Sequence, residues 1–278
     1  MNTPGVDNDL VAPRKALLDA LDALEAHRDA LVLIGAQAIY LWTGNAAVAL
    51  AETTDDSDLA IDRRVLSDDP LLEEAMRKAD FHPNVLNPQP GAWVSRDGVE
   101  VDLMLPEALS DAGGRRSGRI PPHSSHAVRR TVGLEAAVVD SELRLIHSFD
   151  PTDDRAYEIR VATPAALLVA KLHKLGERQE NPHRLLNKDA HDMYRILVAI
   201  PTQELAESLR RLSTDQLAGE VTGAALDYLE LLFADGPEAL GSQMAGQAEE
   251  TVGDPEVVAA SVTTLASDLL ATIRGGRG

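Results

Sequence analysis

The segment Thr54-Asp55-Asp56-Ser57-Asp58-Leu59-Ala60-Ile61 sets two aspartates, separated by one residue, at the start of a predicted strand over 57–61. Alternate strand residues share a face, so Asp56 and Asp58 are expected to point the same way. Two like charges held together are costly unless something neutralises them. A hard divalent cation, magnesium or manganese, does so with oxygen ligands and substrate phosphates. Acidic residues number 45 of 278, so a chance Asp-x-Asp is the alternative at this point.

Downstream, Val99-Glu100-Val101-Asp102-Leu103-Met104 alternates as a strand should and carries Asp102 among apolar residues. On a strand beside the first pair, Asp102 would complete a metal site of Asp56, Asp58 and Asp102. Three carboxylates can hold two metals, one lowering the pKa of an attacking hydroxyl and one steadying a pyrophosphate leaving group. Upstream, Leu31-Val32-Leu33-Ile34 reads as a buried strand ending at Gly35, with a helix over 36–42. A glycine there lets the amides of Gly35 and Ala36 approach phosphate, and the helix N-terminus favours anions. A simple turn glycine is the plainer reading.

The remaining pattern predicts a helix over 13–30, with Leu17, Leu18, Leu21 and Leu24 on one stripe, and another over 70–79. Strands are expected over 92–95 and 99–105, joined through Asp97-Gly98, and over 134–139, 143–149 and 157–161. The Gly/Arg/Pro/Ser-rich stretch 113–126 reads as a loop. Thr163-Pro164 is a helix cap followed by a first-turn proline, and successive helices follow. The expected class is α+β, a mixed sheet with flanking helices over 1–162 followed by a helical region over 163–278.

Composition narrows the field. The 44% hydrophobic and 26% charged content is that of a globular chain, and with 3% aromatics the core must be aliphatic. The absence of cysteine excludes disulfides, thiolate zinc sites and cysteine nucleophiles, and it fits a reducing cytoplasm. No apolar run of roughly 18 residues suggests a signal peptide or a membrane span. The net charge of −19 argues against a broad basic surface. Cations are gathered instead: Lys171, Lys174 and Lys188 are three of only five lysines. Arg115, Arg116, Arg119, Arg129 and Arg130 fall in or beside a stretch, 112–134, without an acidic residue. Such a cluster suits an anion, or is a solvated loop.

Taken in order, a strand, a glycine turn, a helix, Asp-x-Asp and a later aspartate resemble the nucleotidyltransferase superfamily. The chain is more narrowly similar to the AbiEii and MenT type toxins of toxin–antitoxin systems. Thr54, Asp56, Asp58 and Leu59 match their Thr-x-Asp-x-Asp-Leu segment. Lys171-Leu172-His173-Lys174 with Arg178, then Lys188-Asp189-Ala190-His191-Asp192, match their downstream helices. The resemblance spans roughly 31–197 and departs at Ala36, usually Gly or Ser, and at Ser57, usually apolar.

The resemblance implies that Asp56 and Asp58 bind metal, with Asp102 in the place of the later aspartate. It implies catalytic roles for Lys171 and Asp192, and nucleotide contacts from Gly35, Ala36, Thr54, Lys171, Lys174 and Arg178. Lysine suits phosphate as a point charge. A neighbouring cation could equally pair with Asp189 or Asp192, three apart on one helical face, and His173 and His191 are more ordinarily packed than catalytic.

The expected activity is metal-dependent transfer of a nucleoside monophosphate from a triphosphate, with the tRNA 3′ end as acceptor. The five arginines would hold the RNA backbone, and a cognate antitoxin would be a partner. A small molecule such as an aminoglycoside, or a protein side chain, is the alternative acceptor and suits the acidic chain better. A non-catalytic binding protein with a decayed site is the third reading, motivated by Gly35-Ala36.

Overall fold

The computed structural model describes residues 10–44, 55–86, 88–112, 116–179 and 181–275, so Thr54 and Arg115 lie outside the described residues. The chain divides into two compact units. The first comprises residues 1–37, 53–134 and 141–162, and the second 38–52, 135–140 and 163–278. The helical unit thus takes 38–52 and 135–140 from the part of the chain that precedes residue 163.

The first unit is built on a mixed sheet of β1 (Leu31–Ile34), β2 (Asp56–Ile61), β3 (His82–Pro83), β4 (Ala92–Val94), β5 (Glu100–Pro106), β6 (Arg129–Thr131), β7 (Ser141–His147) and β8 (Ala156–Ala162). The order is β3-β4-β5-β2-β1-β8-β7, with β6 added to β5. Strand β1 runs antiparallel to β2 and parallel to β8, while β2 runs parallel to β5. The class is α+β with a mixed sheet, as the sequence implies.

Helix α1 (Val11–Ala23) covers one face of β2 and β5. Its Leu17, Leu18 and Leu21, with Leu24 just beyond, are fully buried, as are Leu59, Ile61, Val101, Leu103 and Leu105 of the strands. Each such burial contributes about 1.5–3 kcal/mol. Because strand side chains alternate, burying this apolar set turns Asp56, Asp58, Glu100 and Asp102 to the other face. The hydrophobic pattern therefore decides where the carboxylates point.

The structure departs from the sequence expectations at two elements and adds one strand. Residues 134–139 were expected to extend, yet Glu135–Val139 form α4, packed in the second unit against α5 (Pro164–Gly176) and α8 (Gly219–Leu229). Ala136 and Ala137 favour helix, and burial among helices outweighs the strand preference of two terminal valines. The helix predicted over 13–30 ends at Ala23 and continues as a 3₁₀ turn over 25–30. Strand β6 was not foreseen, because Arg-Arg-Thr has no apolar alternation; it forms by pairing Met104 to Pro106 with Arg129 to Thr131. The hairpin turn at Asp97-Gly98 is present, with Gly98 at φ +83° and the Ser95 amide donating to the Val99 carbonyl over 2.9 Å.

The remaining helices of the first unit are α3 (Leu72–Lys78) and the start of α2 (Gly35–Thr43). In the second unit α5, α6 (Asn187–Ala199), α7 (Thr202–Ser213), α8, α9 (Leu240–Ala248) and α10 (Pro255–Gly275) pack together. Thr163 caps α5 by accepting from the Ala166 amide, with Pro164 in the first turn. Helix α10 is long and apolar enough to cross a membrane by length and composition. Here it lies against α7 and α9 with Val258, Val262, Ala266 and Leu269 buried.

Candidate active site

Parallel pairing of β2 with β5 puts Asp56 opposite Glu100 and Asp58 opposite Asp102. Register partners share a face, so four carboxylates form two adjacent rows on the sheet surface away from α1. Glu100 was not singled out from sequence, although its alternation with Asp102 in Val-Glu-Val-Asp was the available signal.

Gly35 follows directly from β1, whose Ile34 pairs with Asp58. It takes φ +70°, and a Cβ built on it would stand 2.1 Å from Asp58 Oδ2. Only glycine meets both conditions, so this residue does more than turn the chain: it makes room for a carboxylate. Gly35 and Ala36 are the first two residues of the helix that follows, an N-terminus that suits an anion.

Arg129 on β6 shares the Asp102 face and donates to Asp102 Oδ2, with Gln89 Oε1 3.4 Å away. The sequence placed this arginine in an RNA-contacting cluster; the structure puts it among the carboxylates. Asp102 Oδ1 is buried and has no hydrogen-bond partner. Burial pushes the Asp102 carboxyl up to about 6, against the pull of Arg129 and with Glu100 adding to the rise. Three other described arginines of that cluster make local contacts. Arg130 pairs with Glu107 at 3.2 Å, Arg119 donates to the Ala112 carbonyl over 3.0 Å, and Arg116 accepts at its carbonyl from the Arg130 amide.

Does this donor set fit a divalent cation? All the donors are hard oxygens, and Asp102 Oδ1 is a desolvated oxygen lacking a partner, as a ligand position would be. Yet among the described residues no three Asp, Glu or His side chains form a group able to hold a metal by themselves. Magnesium ordinarily takes one or two carboxylates plus substrate phosphates, so the set fits an ion that arrives with a triphosphate. An open cleft of about 460 Å³ lined by Ser117, Arg119, Ile120, Pro121, His123 and Ser125 also lies in this unit, and none of the four carboxylates is among those residues.

The other predicted residues belong to the second unit. Lys171 Nζ lies 2.7 Å from both Asp189 and Asp192, and Lys174 lies 2.8 Å from Asp189, with Arg178 at 3.6 Å. Asp189 is fully buried and Lys171 nearly so. Burial works against both charges, but the mutual attraction wins, raising the lysine and holding Asp189 well below the ordinary carboxylate range. Lys171 is thus a network member with its ammonium already held by two carboxylates. His173 is hydrogen-bonded to the Val221 carbonyl and His191 to Glu249.

Removing one member of this network leaves a buried charge unpaired. Lys171→Ala is expected to cost about 3–5 kcal/mol in chemical denaturation, and a loss under about 1 kcal/mol would contradict the network. The pH sign follows from the depressed Asp189 pKa. Its contribution is fully present above the unfolded value of about 3.9 and fades as pH falls from there through the folded value. Denaturation midpoints between pH 7 and pH 3 should show this acid loss, reduced in Asp189→Asn.

A nucleotidyltransferase family model matches residues 13–218, spanning both units, and the chain belongs to this family. It is a nucleotidyltransferase, and membership implies a nucleoside triphosphate substrate. A solved structure from H. pylori, provisionally assigned as a nucleotidyltransferase, aligns over 98% of this chain and 100% of that one. At 11% identity and a TM-score of 0.35 it carries no argument here. No curated protein matches.

Proposed function

We propose that this nucleotidyltransferase acts with a divalent cation, magnesium or manganese, held by Asp56 and Asp58 together with substrate phosphates, with Asp102 beside them as the third carboxylate of the site. The observation that carries the reading is the shared face of Asp56, Asp58 and Asp102 against the Gly35 turn. The cation supplies charge neutralisation at the triphosphate. The chain's residues do the rest. The Gly35 and Ala36 amides at the start of α2 meet phosphate oxygens, and Arg129 adds positive charge beside the carboxylates. The acceptor hydroxyl attacks the α-phosphorus, the bond to the bridging oxygen breaks, and pyrophosphate leaves. The hydroxyl proton passes through the carboxylate cluster to water. Lys171 as a triphosphate contact and Asp192 as its support rest on the motif resemblance.

That resemblance also supports a toxin whose acceptor is the tRNA 3′ end. Incubation with magnesium, α-labelled nucleoside triphosphates and tRNA should label the RNA. No label with any nucleotide, beside an active control enzyme, would count against it. The engagement of Arg119, Arg129 and Arg130 within the protein, together with the charge of −19, favours a second reading with a cationic small-molecule or protein acceptor. Mass spectrometry of mixed acceptors separates the two by where the added nucleotide mass appears.

A further inference from the structure

Ser57 stands between the two aspartates, where an apolar residue is usual, and its side chain lies on the buried face of β2. Its hydroxyl donates to the Pro13 carbonyl of α1 over 2.9 Å and accepts from Gln37 Nε2 over 2.6 Å. Gln37 Nε2 also approaches the Asp56 carbonyl at 3.4 Å. The Gln37 side-chain oxygen accepts from Arg14 Nε over 2.9 Å, and Arg14 Nη1 donates to the His147 carbonyl over 3.0 Å. Arg14, Gln37 and Ser57 are only 3%, 5% and 1% exposed. Burial pulls the Arg14 guanidinium down to about 10, so it stays charged at neutral pH, lying 4.1 Å above the Phe149 ring.

We infer that Arg14, Gln37 and Ser57 form a positioning relay that sets the Asp56–Asp58 pair and the Gly35 turn relative to each other. The inference rests on the reading of that pair as the cation-holding site. Ser57 is anchored on one side of the strand, which fixes the rotation of β2 and so the direction of the carboxylates on the other side. Gln37 sits two residues beyond Gly35, on the helix whose first residue leaves no space for a Cβ beside Asp58. One glutamine therefore ties the phosphate-facing turn to the carboxylate strand. A buried polar chain is sensitive to any missing member, because each remaining group loses its partner where water cannot replace it. Arg14 closes the chain by holding the glutamine oxygen, which leaves the glutamine amide aimed at Ser57. The relay accounts for the serine as an apolar residue could not.

The test uses Ser57→Ala, Gln37→Met and the hydroxyl-retaining Ser57→Thr in the full chain. Mn2+ binding is followed by electron paramagnetic resonance with α,β-methylene nucleoside triphosphates, at a temperature well below each variant's melting point. Outer partners of metal ligands typically contribute 10–100-fold in metal affinity, so Ser57→Ala and Gln37→Met should each weaken Mn2+ by at least about tenfold. Transfer assays should show kcat falling more than KM rises, and Ser57→Thr should recover most of the affinity. Wild-type Mn2+ affinity in a folded Ser57→Ala or Gln37→Met, with only the melting temperature lowered, would overturn the relay. Should Ser57→Ala fail to fold, Gln37→Met gives the same readout. Absence of Mn2+ binding to the wild-type chain, or unchanged binding by Asp58→Asn, would instead overturn the underlying site reading and the relay with it.

Discussion

Gly35→Ala is expected to lower nucleotidyl transfer by about a hundredfold or more, the scale on which a misplacement of roughly 1 Å at a reacting centre is felt. Two independent facts drive the effect. At φ +70° an L side chain is strained, by about 1–2 kcal/mol. The added Cβ would also meet Asp58 Oδ2 at 2.1 Å and Cγ at 2.9 Å, so the carboxylate must swing away or the turn must move. Either response separates the turn amides from the carboxylate pair. Transfer rate and thermal melting measured together check the account. Activity within threefold of wild type would show that the close approach of Gly35 and Asp58 has no catalytic consequence.

Asp58→Asn is expected to lower transfer by about a thousandfold, comparable to removing one group that stabilises transition-state charge. The amide keeps the shape of the carboxylate and removes the charge. Folding should survive, because the apolar face of β2 packed under α1 is untouched. The pair of readouts matters: lost rate with retained melting temperature identifies a group acting on substrate. Lost rate with lost stability would instead identify a structural carboxylate.

Much of this arrangement is legible in the residues, for a physical reason. The alternation Ser57-Asp58-Leu59-Ala60-Ile61 and Val99 to Met104 can bury its apolar members only by facing the aspartates the other way. Periodicity therefore predicts the carboxylate face. The glycine at the start of α2 is legible for the same kind of reason, as a turn that backbone sterics demand.

What is not legible depends on partners distant in sequence. Arg129 reads as one arginine among five in a basic stretch; only the pairing of β6 with β5 brings it to Asp102. Ser57 reads as a departure from an apolar position until Gln37 and Arg14 are found beside it. Lys171 reads as a phosphate ligand from its motif, while its 2.7 Å contacts with Asp189 and Asp192 depend on the packing of α5 against α6. Residues 134–139 mislead because strand preference is judged locally and burial among helices is not.

The most direct test of the carboxylate site is a crystal grown with Mn2+ and an α,β-methylene nucleoside triphosphate, measured at the manganese absorption edge. An anomalous peak bonded to Asp56 and Asp58 and to phosphate oxygens of the nucleotide, near the Gly35 turn, is the expected result. A fully occupied nucleotide whose cation touches neither aspartate would contradict it.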